Sequence, residues 1–175
     1  MDSDRKQLFY PFILTAVLII ADQITKLIII RTIELHTIGF SAFDSLLRIV
    51  HTRNLGIAFS IGRGFSETLR SMLFILIPLA IMAGLVVYYF RTTELTRLQR
   101  WAIAGVLGGG LGNQVDRIFR SSGVVDFIDI KFFGIFGLER WPVFNVADAS
   151  IVVSGIILVI SIIFQKGMDE HEQES

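Results

Sequence analysis

The chain of 175 residues contains no cysteine. Disulfides, thiolate nucleophiles and cysteine-ligated metal sites are therefore excluded. Charge is scarce too. Only 18% of residues are Asp, Glu, Lys or Arg, and 16 basic residues balance 16 acidic ones. With a formal net charge of zero there is no basic field to attract nucleic acid. The three histidines, His36, His51 and His171, are scattered and match no metal-ligand spacing. Nothing in the sequence calls for a metal or any other cofactor.

Apolar side chains are abundant. They make up 53% of the chain, and the mean hydropathy of +0.64 is too high for an ordinary soluble domain, pointing to the bilayer as solvent. Four apolar stretches approach the ~20 residues that a spanning helix needs. They run from about Leu8 to Ile30, Leu69 to Phe90, Leu98 to Ile118 and Val146 to Phe164. The third is the least apolar, being rich in glycine and ending in polar groups. The first is not read as a cleaved leader: it is long, contains Asp22 and Lys26, and has no small-residue cleavage site after it. The expected fold is an α-helical membrane protein with four transmembrane helices and a small extracytoplasmic β-sheet. Residues 1–166 form a single membrane-embedded domain, and residues 167–175 a polar, disordered cytoplasmic tail.

Arg5, Lys6, Arg91, Arg97 and Arg100 crowd the N-terminal tail and the short second connection. Arg48, Arg53 and Arg63 are spread through a long first loop. Positive charge of that density favours both termini in the cytoplasm. The two outer loops each contain a β-branched, apolar run, Leu46 to His51 and Val124 to Ile130, which read as short strands. Trp141 and Phe144 suit an interfacial aromatic belt.

Ionisable residues within spans are the clearest functional signal, because a charge at the bilayer centre costs roughly 2.5–3.5 kcal/mol. Asp22 and Lys26 lie four apart on one helix face. They form either a structural ion pair or a contact to substrate. In the third span, Gly105, Gly109 and Gly112 share a face that continues into Asn113, Asp116 and Arg117. A tight packing seam accounts for the glycines but less well for three polar groups together. Asp126 in a strand would share its face with Val124, Ile128 and Ile130, where desolvation raises a carboxyl pKa; it could equally be a turn aspartate. Asn145 or Asp148 could simply cap the fourth helix. Taken together, Asp126 and Asp148 could share one proton. The ionised partner would take a proton from water while the neutral one polarises a carbonyl.

Five motifs, Asp22-Gln23-x-x-Lys26, Asn54-x-Gly56-x-Ala58-Phe59, Gly112-Asn113-x-x-Asp116-Arg117, Val125-Asp126-Phe127 and Phe144-Asn145-x-Ala147-Asp148, occur in this order around the four spans. In this the chain resembles the lipoprotein signal peptidase (signal peptidase II) family. The resemblance implies an aspartyl endopeptidase of the bacterial cytoplasmic membrane that cleaves diacylglyceryl prolipoproteins before the lipidated cysteine. It implies Asp126 and Asp148 as the catalytic pair, and Asn54, Gly56, Asn113, Arg117 and Asn145 lining the site. Asp22, Lys26 and Asp116 would support it. A mobile loop would cover the site, around Gly62 to Glu67 or Phe132 to Leu138. The expected partners are that substrate and membrane lipid, with the protein itself a monomer. The rival reading is a small transporter or channel, since intramembrane charges also mark ion paths.

Overall fold

Four helices carry most of the chain, and the sequence supplies a recognisable start for three of them. In the computed structural model, residues 7–55, 66, 68–69 and 72–174 are described, with side chains described as far as Lys166. Helix α1 (Pro11–Thr32) opens on a proline, which tolerates the first turn because its missing N–H has no partner there anyway. Helix α2 (Ile77–Arg91) follows a π-helical turn at Met72–Leu76 and also has a proline in its first turn. Helix α3 (Arg97–Phe119) begins with a capping box. The Gln99 N–H donates to Thr96 Oγ1 at 3.2 Å, and the Thr96 N–H donates to Gln99 Oε1 at 3.0 Å. Helix α4 (Val146–Glu174) runs past the expected end near Phe164 and through the tail expected to be disordered. The tail's Glu, Gln and Met are good helix formers, so polarity alone did not end the helix.

Among the described residues, three helices are long and apolar enough to cross a membrane: Gln7–Thr32, Met72–Arg91 and Val146–Lys166. Helix α3 differs because it is the centre of the bundle. Twelve of its 23 residues are buried, against five of 22 in α1. Its surroundings are other helices, so it does not need an apolar surface all round. Gly109 and Gly112 make that central position possible. A Cβ on Gly109 would sit 2.8 Å from Ile151 Cγ1, and one on Gly112 would sit 2.9 Å from Asp22 Oδ2. Only glycine lets α4 and α1 approach α3 this closely.

Helix α1 is amphipathic in the inverted sense. Thr15, Asp22, Lys26 and Ile29 face inward and are buried, while Ile13, Val17, Ile20, Ile24 and Ile28 are exposed. In a bilayer, that exposed face meets lipid and the polar face meets protein.

Beyond α1 lies a three-stranded antiparallel sheet in the order β1-β2-β3. Strand β3 (Val124–Ile130) has the limits read from the sequence. Strand β2 (Leu47–Asn54) extends three residues beyond them. Strand β1 (Ile38–Ala42) was not foreseen: it is short, contains Gly39, and is mostly exposed. Ile29 of α1 packs with Val125 and Phe127, and Ile33, Ile49 and Val146 close around them, which fixes the sheet on the bundle.

The chain then turns through Ile135–Gly137 and comes back along β3. The Trp141 N–H donates to the Ile130 carbonyl at 2.9 Å, and Phe144 exchanges hydrogen bonds with Ile128. This return places Asn145, the residue before α4, against the middle of β3. The 132–138 turn holds Phe133 and Phe136 at positive φ. Gly56 and most of the 62–67 stretch lie outside the described residues.

Candidate active site

Asp126 and Asp148 come from different elements, and two asparagines join them. Asp126 is in the middle of β3 and is buried. Its Oδ1 accepts from Asn145 Nδ2 at 2.7 Å and its Oδ2 from Asn54 Nδ2 at 3.0 Å. Asn54 reaches it from β2, where Thr52 is the residue paired with Asp126. Asp148 is in the first turn of α4 and is half-buried. Its Oδ1 accepts from Asn113 Nδ2 at 2.7 Å, and its Oδ2 from the Asn145 backbone N–H at 3.1 Å. The Asp148 N–H in turn donates to Asn145 Oδ1 at 2.9 Å.

That last exchange is a capping box, with Asn145 as N-cap and Asp148 three residues on. The capping reading of Asp148 is therefore right in geometry. It does not exclude a second role, because capping occupies Oδ2 while Oδ1 faces Asn113.

The orientations of both amides follow from groups that can only donate. The Asp148 N–H must find an oxygen, so Asn145 presents Oδ1 to it and turns its NH₂ toward Asp126. The Lys26 ammonium must also find oxygens and lies 3.1 Å from Asn113 Oδ1. Asn113 therefore turns its NH₂ toward Asp148. Asn145 Nδ2 also reaches Asn113 Oδ1 at 3.1 Å and the Val125 carbonyl at 3.2 Å, so the two amides are joined.

Burial raises the pKa of Asp126 to about 6, and the neighbouring Asp148 charge pushes it the same way; hydrogen bonds from Asn54 and Asn145 and the Lys26 charge oppose them. The direction and the main cause are those the apolar strand pattern suggested. Arg117 is half-buried one turn beyond Asn113. Its charge is felt by both aspartates, and its Nε has no hydrogen-bond partner among the described residues.

Beneath the pair, Asp22, Lys26 and Asp116 form a fully buried ionic cluster. Lys26 Nζ is 2.8 Å from Asp22 Oδ2 and 3.0 Å from Asp116 Oδ2. Charges this deep persist because they are paired.

Comparison with known proteins now bears on this geometry. The profile of one protein family, Signal peptidase (SPase) II, matches residues 14–164. A lipoprotein signal peptidase of Treponema denticola is 45% identical over 93% of this chain and 94% of its own length. Its counterpart in Treponema pallidum is 44% identical over 93% of this chain and 87% of its own. One from Borrelia turicatae is 40% identical over 98% of this chain and 99% of its own. The chain belongs to the signal peptidase II family.

Two solved structures of a bacterial membrane enzyme share its fold. One has a TM-score of 0.75 and 29% identity, covering 89% of this chain and 88% of that one. The other has a TM-score of 0.73 and 31% identity, covering 87% and 91%. The chain is thus a multi-pass membrane peptidase, and the transporter reading has no support.

Of the residues singled out in the sequence, Asp22, Lys26, Asn54, Asn113, Asp116, Asp126, Asn145 and Asp148 form one connected set, with Arg117 beside it. Gly56 lies outside the described residues. Gln23, quoted in the first motif without a role, donates through Nε2 to Asp22, to Asp116 and to the Gly112 carbonyl, each at 3.1 Å. One member was missed: Arg120 pairs with Asp116. Their i,i+4 spacing on α3 was a signal for that pair, whereas no local pattern announces the cross-helix bonds of Gln23.

Proposed function

We propose that this family member removes signal peptides from diacylglyceryl-modified prolipoproteins by cutting before the lipidated cysteine, with Asp126 and Asp148 as an aspartyl dyad. One observation carries the reading: a single residue, Asn145, holds both carboxylates, Asp126 through its side chain and Asp148 through its backbone N–H. A residue that holds both carboxylates keeps them in one geometry.

Asp126, whose buried carboxyl has the raised pKa, is the neutral partner and donates its proton to the scissile carbonyl oxygen. Asp148, at a helix N-terminus that favours negative charge, takes a proton from the attacking water. Water adds to the carbonyl carbon to give a neutral gem-diol. Asp148 then gives its proton to the leaving nitrogen while Asp126 takes one back from a gem-diol hydroxyl, so that the C–N bond breaks and the C=O bond re-forms with the pair in its starting state. Arg117 and Asn54 stand at the edge of the pair, where a substrate backbone would lie; Gly56, from the same motif as Asn54, is taken to bind substrate with them.

The proposal extends to the membrane. Helix α3 is taken as the fourth crossing, since 23 residues span about 34 Å. Residues 1–166 act as one domain with a polar tail beyond. Arg91, Arg97 and Arg100 mark the cytoplasmic end, which puts both termini in the cytoplasm. The sheet and the dyad then sit at the extracytoplasmic surface of the bacterial cytoplasmic membrane. Substrate lipid tails anchored in the bilayer hold the scissile bond at that depth. A monomer suffices, as all the groups named come from one chain.

The test is cleavage by purified protein in detergent. A diacylglyceryl-modified prolipoprotein should be cut with the lipidated cysteine as the new N-terminus, read by mass spectrometry, and its unlipidated form should be left whole. Equal cleavage of both forms would sink the substrate assignment.

A further inference from the structure

The ionic cluster under the site has more order than an ion pair needs. The Lys26 ammonium has three N–H donors, and three acceptors surround it: Asp22 Oδ2 at 2.8 Å, Asp116 Oδ2 at 3.0 Å and Asn113 Oδ1 at 3.1 Å. Each acceptor leads to the dyad by one more bond. Asp22 uses its other oxygen to accept the Ala147 N–H at 3.1 Å, the residue before Asp148. Asp116 accepts the Val125 N–H at 3.0 Å, the residue before Asp126. Asn113 donates to Asp148 itself at 2.7 Å. Among the described residues, strand β3 and helix α4 are otherwise joined at the site through Asn145, the Phe144 return and the packing of Val146 on Val125 and Phe127.

We infer that Lys26 is a positioning residue for the dyad, a hub whose three hydrogen bonds set the register between the strand carrying Asp126 and the helix carrying Asp148. This rests on the dyad reading above. A simple structural ion pair would need one carboxylate. Lys26 takes two, and each is also committed to the backbone beside a different aspartate. Together with Asn145 Nδ2, Lys26 holds the Asn113 oxygen and so keeps the amide NH₂ facing Asp148.

Five groups face Asp126 from the surrounding elements: Lys26 from α1, Asn54 from β2, Arg117 from α3, Asn145 before α4, and Asp148 in α4. Among them the Lys26 charge favours ionised Asp126. Its loss lets Asp126 keep its proton to higher pH.

Replacing Lys26 alone would leave two buried carboxylates short of a partner and confound folding with function. The experiment therefore uses the charge-neutral double variant Asp22→Asn/Lys26→Met. It keeps an acceptor for the Ala147 N–H and leaves Asp116 with Arg120. Thermal melting, kcat, KM and the pH profile of kcat/KM are measured on the lipidated prolipoprotein, with Asp126→Asn beside it. The expected result is a folded double variant with kcat down on the order of 10²-fold, KM little changed, and the basic limb moved to higher pH. A folded variant with kcat within about threefold of wild type and an unmoved limb overturns the hub. If the first double does not fold, Lys26→Met/Asp116→Asn is read by the same criteria; failure of both to fold also overturns the inference, making Lys26 a bundle fastener. Activity retained in Asp126→Asn would instead sink the dyad reading itself.

Discussion

The two ends of the helical bundle wire their polar side chains differently, and the sheet end buries more of them. At the sheet end, Lys26, Asp22, Asp116, Asn113, Asn145, Asp148, Asp126 and Asn54 form a continuous run of hydrogen bonds through five elements and the residue before α4. At the other end the bonds are separate fasteners. The Tyr89 hydroxyl donates to the Leu8 carbonyl at 2.7 Å, with Arg100 over its ring, and Gln99 donates to Gln165 at 2.7 Å. These runs are short and end on backbone groups: Tyr89 stops at Leu8, and Gln165 donates on to the Glu94 carbonyl. A continuous network in low dielectric constrains all its members together, which suits a site where two carboxylates must keep one geometry. Isolated bonds contribute stability and little else.

Perturbations should therefore separate by end. The largest effect expected outside catalysis comes from Asp126. Its pKa is about 6 in the folded protein and 3.8 in the unfolded chain, so the folded state holds the proton more tightly. That contribution to stability is complete below about pH 3.8 and is lost as pH rises through about 6. Wild-type melting temperature should fall across that window relative to Asp126→Asn, which carries no titrating group there. Parallel pH–melting curves would show that Asp126 is not a desolvated acid.

Next is Gly112→Ala. Its Cβ would press on Asp22 Oδ2 at 2.9 Å and on Ala147 Cβ at 3.2 Å, displacing the cluster and the start of α4. A stability loss of about 1–3 kcal/mol should be accompanied by a fall in kcat, whereas a loss of stability with unchanged kcat would mean that the network tolerates movement. The smallest effect belongs to the other end. Tyr89→Phe removes one hydrogen bond and should cost about 0.5–1.5 kcal/mol in denaturation, with kcat unchanged. A large loss of activity there would erase the contrast between the ends.

Much of this was legible in the sequence, because membrane spans and polar exceptions within them are local signals. Asp22 and Lys26 stand out in an apolar run, and β3 has the limits its alternation gave. The connections were not legible. Lys26 to Asn113, Asp22 to Ala147 and Asn145 to Asp126 join residues separated by 87, 125 and 19 positions, and nothing local encodes that pairing. Helix α3 looked weakest as a span for the same reason that it is central: its glycines and polar groups serve neighbouring helices, not lipid. Asp148 shows how a capping residue keeps an oxygen to spare, since Oδ2 caps the helix and Oδ1 accepts from Asn113. Strand β1 escaped notice because an exposed five-residue strand has little hydrophobic pattern to show.

The central claim is that Asp126 and Asp148 act as one unit, and a double-mutant comparison tests it most directly. kcat/KM on a diacylglyceryl-modified prolipoprotein is measured for wild type, Asp126→Asn, Asp148→Asn and the double variant, with folding checked by melting. The account predicts that each single substitution lowers the rate by about 10²–10⁴-fold and that the double loses little more than either single, as groups that act together do. Losses that multiply, or near-normal activity in either single variant, would contradict it.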